Sequence, residues 1–258
     1  MGPSVLLPTS FYRIPVMSGR FIVKPMAVYY DFGMNKKILL TVLVAILISL
    51  SSCAYPETKF FNDHIIDMWA QTLEPYSVDI AFYGDSRVAL ANWEGAYPGS
   101  DLVNLGIGGD IIEGTIQRLR LLQALDVKHC FLAIGVNNCS NDNFTEAGFR
   151  NRYALLLDGL DGLGITAYVN TIAGVTTANS SFNATLVTRM TNNITAANEI
   201  IRDLAQSRNL ILIDMAMEMN SSDDTLKAQY SADGIHFNAL GNQFWYDTLR
   251  PFVEAITE

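Results

Sequence analysis

The stretch Ile80–Arg87 reads IAFYGDSR, a short apolar run followed by a polar turn. An apolar run that ends in glycine is typical of a buried strand that breaks into a turn. Ser86 is therefore predicted to lie just past a strand, at the carboxyl edge of a sheet, where open α/β folds place their ligands. Taken alone, Gly-Asp-Ser also fits an ordinary surface turn, so the rest of the chain must decide.

Short apolar runs alternate with helical patterns along the rest of the chain. The predicted strands cover residues 78–83, 102–105, 130–134, 165–169 and 210–213. Helical spacing is present at residues 60–73, 111–125, 144–163, 184–208 and 238–256. The alternation predicts βαβ units and a parallel sheet covered by helices on both faces. The stretch 176–193, rich in Thr, Asn and Ser, is predicted to be an exposed loop that leads into the long helix.

Polar blocks follow several of the predicted strands, and the last one precedes the closing helix. They are Gly84–Ser86, Asn104–Asp110, Gly135–Asn138 and Asp233–His236. Parallel strands bring their carboxyl ends to the same edge of a sheet, where α/β folds bind ligands. Blocks that are distant in the sequence are therefore expected to converge on one site.

The first and last blocks hold the residue types of nucleophilic catalysis. A serine hydroxyl is a weak nucleophile until a base takes its proton, and histidine is the usual base near neutral pH. We predict that Ser86 is the nucleophile and His236 the base, with Asp233 holding the imidazole in the tautomer that accepts the serine proton. The spacing alone also fits a turn cap at Asp233 and a loop histidine at position 236.

The middle blocks offer hydrogen-bond donors for a developing oxyanion. A glycine backbone can approach a substrate closely because it has no side chain, which favours Gly108 and Gly109. The Asn137 amide and the Ser86 backbone N–H are further candidate donors. The other interpretation is that the glycines only form a tight turn and that Asn137 only caps a helix.

Together these four blocks, in this order, resemble the motifs of the SGNH/GDSL hydrolase family. The motifs are Gly-Asp-Ser, Asn-x-Gly-x-x-Gly-Asp, Gly-x-Asn and Asp-x-x-His, and the resemblance covers residues 78–245. It implies a flavodoxin-like three-layer α/β/α sandwich with a five-stranded parallel sheet. It also implies Ser86 as nucleophile, His236 as base, Asp233 as its orienting partner, and Gly109 and Asn137 in the oxyanion hole. No metal or organic cofactor is implied.

The chain departs from the family pattern at two positions beside these residues. Arg87 stands where the family has leucine, and Asn138 stands where aspartate often occurs. A solvated or salt-bridged arginine is expected at position 87, and the alternative is contact with a polar or anionic part of the substrate.

Composition excludes several other classes. The 258 residues are 50% hydrophobic, which suits one globular domain, and the net charge of −9 argues against a nucleic-acid partner. An ordinary α/β-hydrolase would have Gly-x-Ser-x-Gly, whereas Val88 occupies the last position here. A metal phosphoesterase needs several histidine and aspartate ligands, and the chain has only 3 histidines. Cys130 and Cys139 are predicted to be free thiols.

The N-terminal part has the features of a secretory signal. Residues 34–52 begin with Asn-Lys-Lys after Met34, continue as an apolar run and end in Leu-Ser-Ser before Cys53. This resembles a bacterial lipoprotein signal, which implies lipidation of Cys53 and a hydrolase domain over 53–258. Residues 1–33 are interpreted as an upstream extension outside the fold. A buried helix or a membrane anchor is the alternative for 34–52.

These features predict a serine ester hydrolase attached to the bacterial cell envelope by an N-terminal lipid. The expected substrate is an acetylated carbohydrate or a lipid-type ester, cleaved through an acyl-enzyme. The alternative function is a non-catalytic envelope lipoprotein that binds a glycan or a lipid with the same fold.

Overall fold

The computed structural model describes residues 70, 71, 73 and 76–257, with the exception of residues 179 and 181. Within this part, five strands form one parallel sheet. They are β1 (Ile80–Gly84), β2 (Leu102–Gly106), β3 (His129–Ala133), β4 (Thr166–Asn170) and β5 (Ile211–Ile213). The five predicted strands are therefore confirmed, with ends that move by one or two residues.

The strand order is β2–β1–β3–β4–β5, which is the flavodoxin-like order. The chain adds β2 on one side of β1 and then crosses to add β3 on the other side. Gly84 at the end of β1 pairs in register with Gly106 of β2 and Ala133 of β3. Three strand ends thus meet at the point where the order reverses, which is where such sheets bind ligands.

Helices cover both faces of the sheet, as predicted. The described helices are α1 (Ser86–Leu90), α2 (Trp93–Ala96), α3 (Ile112–Gln117), α4 (Leu119–Ala124), α5 (Val136–Ser140), α6 (Glu146–Gly162), α7 (Ala184–Ser207), α8 (Met215–Met219) and α9 (Ala239–Thr257). A short 3₁₀ turn spans Ala228–Tyr230. No helix in this described part is long and apolar enough to cross a membrane.

Two apolar cores lie on the two faces because side chains alternate along each strand. In β1, Ala81 and Tyr83 pack with α3, α4, α6 and α7, whereas Ile80 and Phe82 pack with α1, α2, α8 and α9. Phe82 stacks on Trp93 with ring centroids 3.8 Å apart, which attaches α2 to the second face. The structure is therefore the predicted three-layer α/β/α sandwich.

Two predicted elements differ from the structure. The helix predicted over 111–125 is interrupted at Arg118, which ends α3 and begins α4. The loop predicted over 176–193 is shorter, because the Asn183 side chain accepts a hydrogen bond from the Leu186 N–H and caps α7. The Asn and Thr residues that suggested a loop are therefore partly a helix cap and partly the first turns of the helix.

Several predictions fall outside the described residues. They concern the extension at 1–33, the signal at 34–52, Cys53, and most of the helix predicted at 60–73. Residues 70, 71 and 73, at the end of that segment, are helical.

Helix α1 begins with Ser86 and is held closely against the sheet. Its N-cap is Asp85, whose side chain accepts a hydrogen bond from the Arg87 N–H at 3.0 Å. A Cβ on Gly106 would lie only 2.2 Å from the Ala89 backbone nitrogen, so α1 packs directly on the end of β2. Burial raises the pKa of Asp85 to about 6, against the lowering effect of the nearby Arg87 guanidinium.

We expect Gly106→Ala to lower the free energy of unfolding by about 1–3 kcal/mol, because the added Cβ pushes α1 off the sheet. Gly162→Ala, at the end of α6, is the control, since its added Cβ meets nothing within 4 Å. Urea unfolding measures both variants. Equal stabilities of the two variants would contradict the close approach of α1 to β2.

We expect Asp85→Asn to become stabilising relative to wild type as the pH rises. The folded-state pKa is raised above 3.8 to about 6, so the contribution of Asp85 to stability is complete below pH 4 and is lost as the pH rises through 6. Asn caps a helix as well as Asp does. The difference in free energy of unfolding between variant and wild type should shift by up to about 3 kcal/mol between pH 4 and 7.

Urea unfolding at several pH values measures this shift, with Asp126→Asn as the control because the Asp126 side chain is exposed. A difference between Asp85→Asn and wild type that does not vary with pH would show that the Asp85 carboxylate is not buried as described.

Candidate active site

A hydrogen-bonded chain joins Ser86, His236 and Asp233. His236 Nε2 lies 3.0 Å from Ser86 Oγ, and His236 Nδ1 lies 2.6 Å from Asp233 Oδ2. Ser86 is 150 residues away from His236 in the sequence, so the fold alone brings them together. Along this series of hydrogen bonds, the three side chains have the order of a nucleophile, a general base and an orienting carboxylate.

The Asp233 carboxylate shapes the turn that carries His236. Its Oδ1 atom accepts hydrogen bonds from the Ile235 and His236 N–H groups at 3.0 and 2.8 Å, while Oδ2 faces the imidazole. Burial raises the pKa of Asp233, but the hydrogen bonds from the His236 ring and from the two N–H groups outweigh it and lower the pKa to about 2. Asp233 is therefore ionised throughout the neutral range.

Further bonds fix the same turn from outside. The Ser231 hydroxyl donates to the His236 carbonyl at 2.7 Å and accepts from the Gly234 N–H at 2.9 Å. Gly234 has φ +90°, and an added Cβ would meet the Thr176 carbonyl oxygen at 2.4 Å. Glycine is required there because the left-handed backbone and the neighbouring chain both exclude a side chain.

The helix that carries Ser86 is also bonded at its C-terminal end. The Asn104 amide donates to the Val88, Ala89 and Ala91 carbonyls at 3.1–3.3 Å. Its oxygen accepts the Gly106 N–H at 2.9 Å. Asn104 belongs to the second polar block, and its structural role was not predicted. An amide at a half-buried strand position is the signal that points to such a role.

The candidate oxyanion donors Gly109 and Asn137 lie on neighbouring segments, the turn after β2 and helix α5. Gly109 has φ +74°, and an added Cβ would meet nothing within 4 Å, so this turn faces open space. The Asn137 amide donates to the Asp110 carbonyl at 2.8 Å, beside Gly109. Asn138, the second departure from the family pattern, accepts the Ile112 N–H at 3.1 Å and thereby caps α3. The two asparagines thus bond α5, which follows β3, to Asp110 and Ile112 after the turn at Gly109.

Arg118 holds the turn at Gly109 from inside the protein. It was not predicted as part of the site. It is fully buried, and it donates twice to Asp110 Oδ2, at 2.9 and 2.7 Å. It also donates to the Leu105 and Gly84 carbonyls at 2.7 and 3.0 Å, and its guanidinium lies 4.2 Å from the Tyr83 ring centroid. One side chain therefore bonds the ends of β1 and β2 to the residue that follows Gly109.

The expectation of a solvated or salt-bridged Arg87 is wrong. Its side chain is buried, and it donates to three backbone carbonyls, those of Ala173, Gly174 and Ile235. The alternative of direct substrate contact is also not supported, since the described hydrogen bonds of the guanidinium all go to the protein backbone.

The remaining reactive side chains lie apart from this chain of hydrogen bonds. Cys130 and Cys139 are free and buried, as predicted, and burial raises the pKa of both thiols. His129 is the first residue of β3 and pairs with Ile80 at the start of β1, at the opposite end of these strands from Ser86. Among the described residues, no group of three His, Cys, Asp or Glu side chains is placed to hold a metal ion.

Solved structures with the same fold were found by comparison. A Bacteroides fragilis NCTC 9343 protein assigned to the acylhydrolases is 17% identical, with a TM-score of 0.65 over 78% of this chain and 100% of that one. A GDSL-like lipase of Bacteroides thetaiotaomicron VPI-5482 is 14% identical, with a TM-score of 0.63 over 75% and 99%. An acetyl xylan esterase is 22% identical, with a TM-score of 0.54 over 68% and 100%.

Because these neighbours are less than 25% identical, they show only the fold. The family is shown by a match to a protein-family model. Among curated proteins, none matches the chain. Residues 68–244, well over half of the chain, match the model of the GDSL-like lipase/acylhydrolase family. Ser86, His236 and Asp233, which form the hydrogen-bonded chain, all fall inside this range. The protein therefore belongs to the GDSL-like lipase/acylhydrolase family.

Proposed function

We propose that this protein is a serine ester hydrolase in which Ser86 attacks an acyl ester and forms an acyl-enzyme. The observation that carries the proposal is the 3.0 Å contact between Ser86 Oγ and His236 Nε2, continued by the 2.6 Å contact between His236 Nδ1 and Asp233. Membership of an acylhydrolase family supports the same reaction type.

His236 serves as the general base in this mechanism. Because Nδ1–H donates to Asp233, the neutral ring has its lone pair on Nε2, directed at the Ser86 hydroxyl. Nε2 takes the serine proton as Oγ bonds to the ester carbon, and the resulting imidazolium is stabilised by the Asp233 carboxylate. The proton then passes to the departing alcohol oxygen, and water completes the cycle by attacking the acyl-enzyme with His236 again as base.

Three donors are assigned to the oxyanion: the Gly109 and Ser86 backbone N–H groups and the Asn137 amide. An amide nitrogen carries two N–H donors, and the Asp110 carbonyl takes one of those on Asn137. The other is assigned to the substrate. Donors that are already held in place gain the most from the charge that develops on the carbonyl oxygen, and each is worth about 3–4 kcal/mol of the barrier.

The proposed substrates are acetylated carbohydrates or lipid-type esters. Two observations on similar structures support these classes, since one is an acetyl xylan esterase and another is a GDSL-like lipase. Comparison of kcat/KM for acetyl and long-chain p-nitrophenyl esters distinguishes the two classes.

We expect Ser86→Ala to lower kcat/KM for p-nitrophenyl acetate at least about 1,000-fold, because the covalent pathway is lost. Ser207→Ala is the matched control, since the Ser207 hydroxyl bonds only within the last turn of α7, to the Leu204 carbonyl at 3.3 Å. Rates are compared after equal folding has been verified by circular dichroism. Equal rates for wild type and Ser86→Ala would exclude the mechanism and favour a non-catalytic binding protein.

We also propose that residues 34–52 are a lipoprotein signal and that a lipidated Cys53 begins the mature chain in the cell envelope. The basic start, the apolar run and the Leu-Ser-Ser-Cys sequence support this location. The buried acyl chains would contribute about 0.8 kcal/mol per CH₂ group to membrane attachment.

For this anchor we expect Cys53→Ser to move the protein, expressed in bacteria, from the detergent phase to the aqueous phase in a detergent phase-partition assay. Cys139→Ser is the control because Cys139 is buried and free. The N-terminal peptide of the wild type should carry the mass of a diacylglyceryl group. An unmodified Cys53 would contradict the proposed anchor.

A further inference from the structure

Arg87 is a buried cation in the first turn of the helix that carries Ser86. It directly follows Ser86 in the sequence, and only 6% of its surface is exposed. Its backbone N–H donates to the Asp85 side chain, so the position of its backbone is fixed together with the start of α1. A buried charge needs full hydrogen bonding to be tolerated, which makes its partners informative.

The guanidinium contacts the residues before and after His236. Nε donates to the Ile235 carbonyl at 2.9 Å, and the guanidinium carbon lies 4.8 Å from the centroid of the Phe237 ring. Ile235 and Phe237 are the residues before and after His236. The residues Asp233–Phe237 are called the histidine turn below. Arg87 thus contacts the histidine turn on either side of His236, through the Ile235 carbonyl and the Phe237 ring.

The other two guanidinium nitrogens bond to the loop after β4. Nη1 donates to the Ala173 carbonyl at 2.6 Å and Nη2 donates to the Gly174 carbonyl at 2.8 Å. This loop is itself attached to the histidine turn, because the Thr176 N–H donates to the Gly234 carbonyl at 2.9 Å. Arg87 therefore connects three segments: helix α1, which carries Ser86, the loop after β4 and the histidine turn.

Only arginine can make this set of contacts. Its planar guanidinium presents five N–H donors in a fixed fork, whereas lysine offers one compact ammonium group and leucine offers no donor. Burial lowers the pKa of Arg87 to about 10, opposed by the nearby Asp85 and Asp233 carboxylates, so the side chain stays charged at neutral pH. The charge strengthens its hydrogen bonds to the neutral carbonyls.

We propose that Arg87 is a positioning residue for the ester hydrolysis assigned above, which fixes the His236 ring against Ser86 by holding the histidine turn to helix α1. The proposal rests on that hydrolysis. Arg87 acts through His236 and not on the substrate, because its side chain is buried and the described hydrogen bonds of its guanidinium all go to backbone carbonyls.

The expected kinetic signature is a loss in kcat with little change in KM. A displacement of about 1 Å between reacting groups can lower the rate about 100-fold. Substrate binding should change little, because only 6% of the Arg87 surface is exposed. The full chain is assayed with p-nitrophenyl acetate as Arg87→Lys, Arg87→Leu and Arg87→Ala, beside wild type and Ser86→Ala.

Leu160→Ala is the matched control for lost stability. Leu160 is fully buried in α6, in the core on the other face of the sheet from Phe237. Its truncation should lower the free energy of unfolding by about 2–5 kcal/mol and leave kcat unchanged at a temperature where the variant is folded. If Arg87→Ala does not fold, Arg87→Lys, which keeps the charge and the aliphatic stem, decides the result.

Chemical rescue distinguishes a loss of activity caused by misplacement of His236 from one caused by lower stability of the fold. Arg87 lines a small, partly open cavity of about 20 Å³, which Arg87→Ala enlarges. Guanidinium chloride at millimolar concentration should then raise kcat of Arg87→Ala at least about tenfold. The same salt should not change wild type or Leu160→Ala, and sodium chloride should rescue none of the variants.

The proposal predicts a kcat lower by about 100-fold in Arg87→Leu, a partial loss in Arg87→Lys, and a KM within about threefold of wild type. It is overturned if Arg87→Leu keeps the wild-type kcat, if KM alone changes, or if Leu160→Ala loses as much activity. A wild-type rate equal to that of Ser86→Ala overturns the hydrolase assignment, and the role of Arg87 with it. A Ser86-dependent rate that Arg87→Leu leaves unchanged overturns only the role of Arg87.

Discussion

Backbone carbonyls at the carboxyl edge of the sheet must find hydrogen-bond donors, and two buried arginines supply them. Where a parallel strand ends, its last carbonyls lose their ladder partners while they remain buried, and an unsatisfied carbonyl there is costly. Arg118 bonds to the carbonyls of Gly84 and Leu105. Arg87 bonds to those of Ala173, Gly174 and Ile235. The loops that carry the candidate site are therefore held by side chains from within the molecule.

The two aspartates nearest to Ser86 and His236 have opposite environments. Asp85 is buried with few donors, which raises its pKa to about 6, whereas Asp233 accepts three hydrogen bonds that lower its pKa to about 2. A carboxylate that orients a base must remain ionised when the base becomes charged. Asp233 meets this requirement, and Asp85 instead caps the helix on which Ser86 lies.

The sequence predicted those features that depend on the pattern of apolar residues and on polar blocks. Five buried strands, the covering helices and the proximity of Ser86 to His236 follow from alternation and from the common edge of parallel strands. The contributions of Arg87, Asn104 and Arg118 could not be predicted in this way. Most of their partners are backbone carbonyls, which every residue has, so no sequence spacing marks them.

The same reasoning explains the errors. The apolar face predicted one helix over 111–125, but its pattern does not show that the Arg118 side chain turns towards Asp110, Gly84 and Leu105 at the position where the helix breaks. Arginine is most often exposed, which led to the expectation of a solvated Arg87. A buried guanidinium is favourable only where several carbonyls converge, and that convergence exists only in the folded chain.

In the proposed mechanism, the fold activates one serine through a histidine from the far end of the chain. The most direct test is reaction of the folded protein with a fluorophosphonate, followed by mass spectrometry of the intact protein and of its peptides. We expect one adduct per chain, located on Ser86, and a much slower reaction in His236→Ala. The absence of an adduct on folded protein, or an adduct on a different residue, would contradict it.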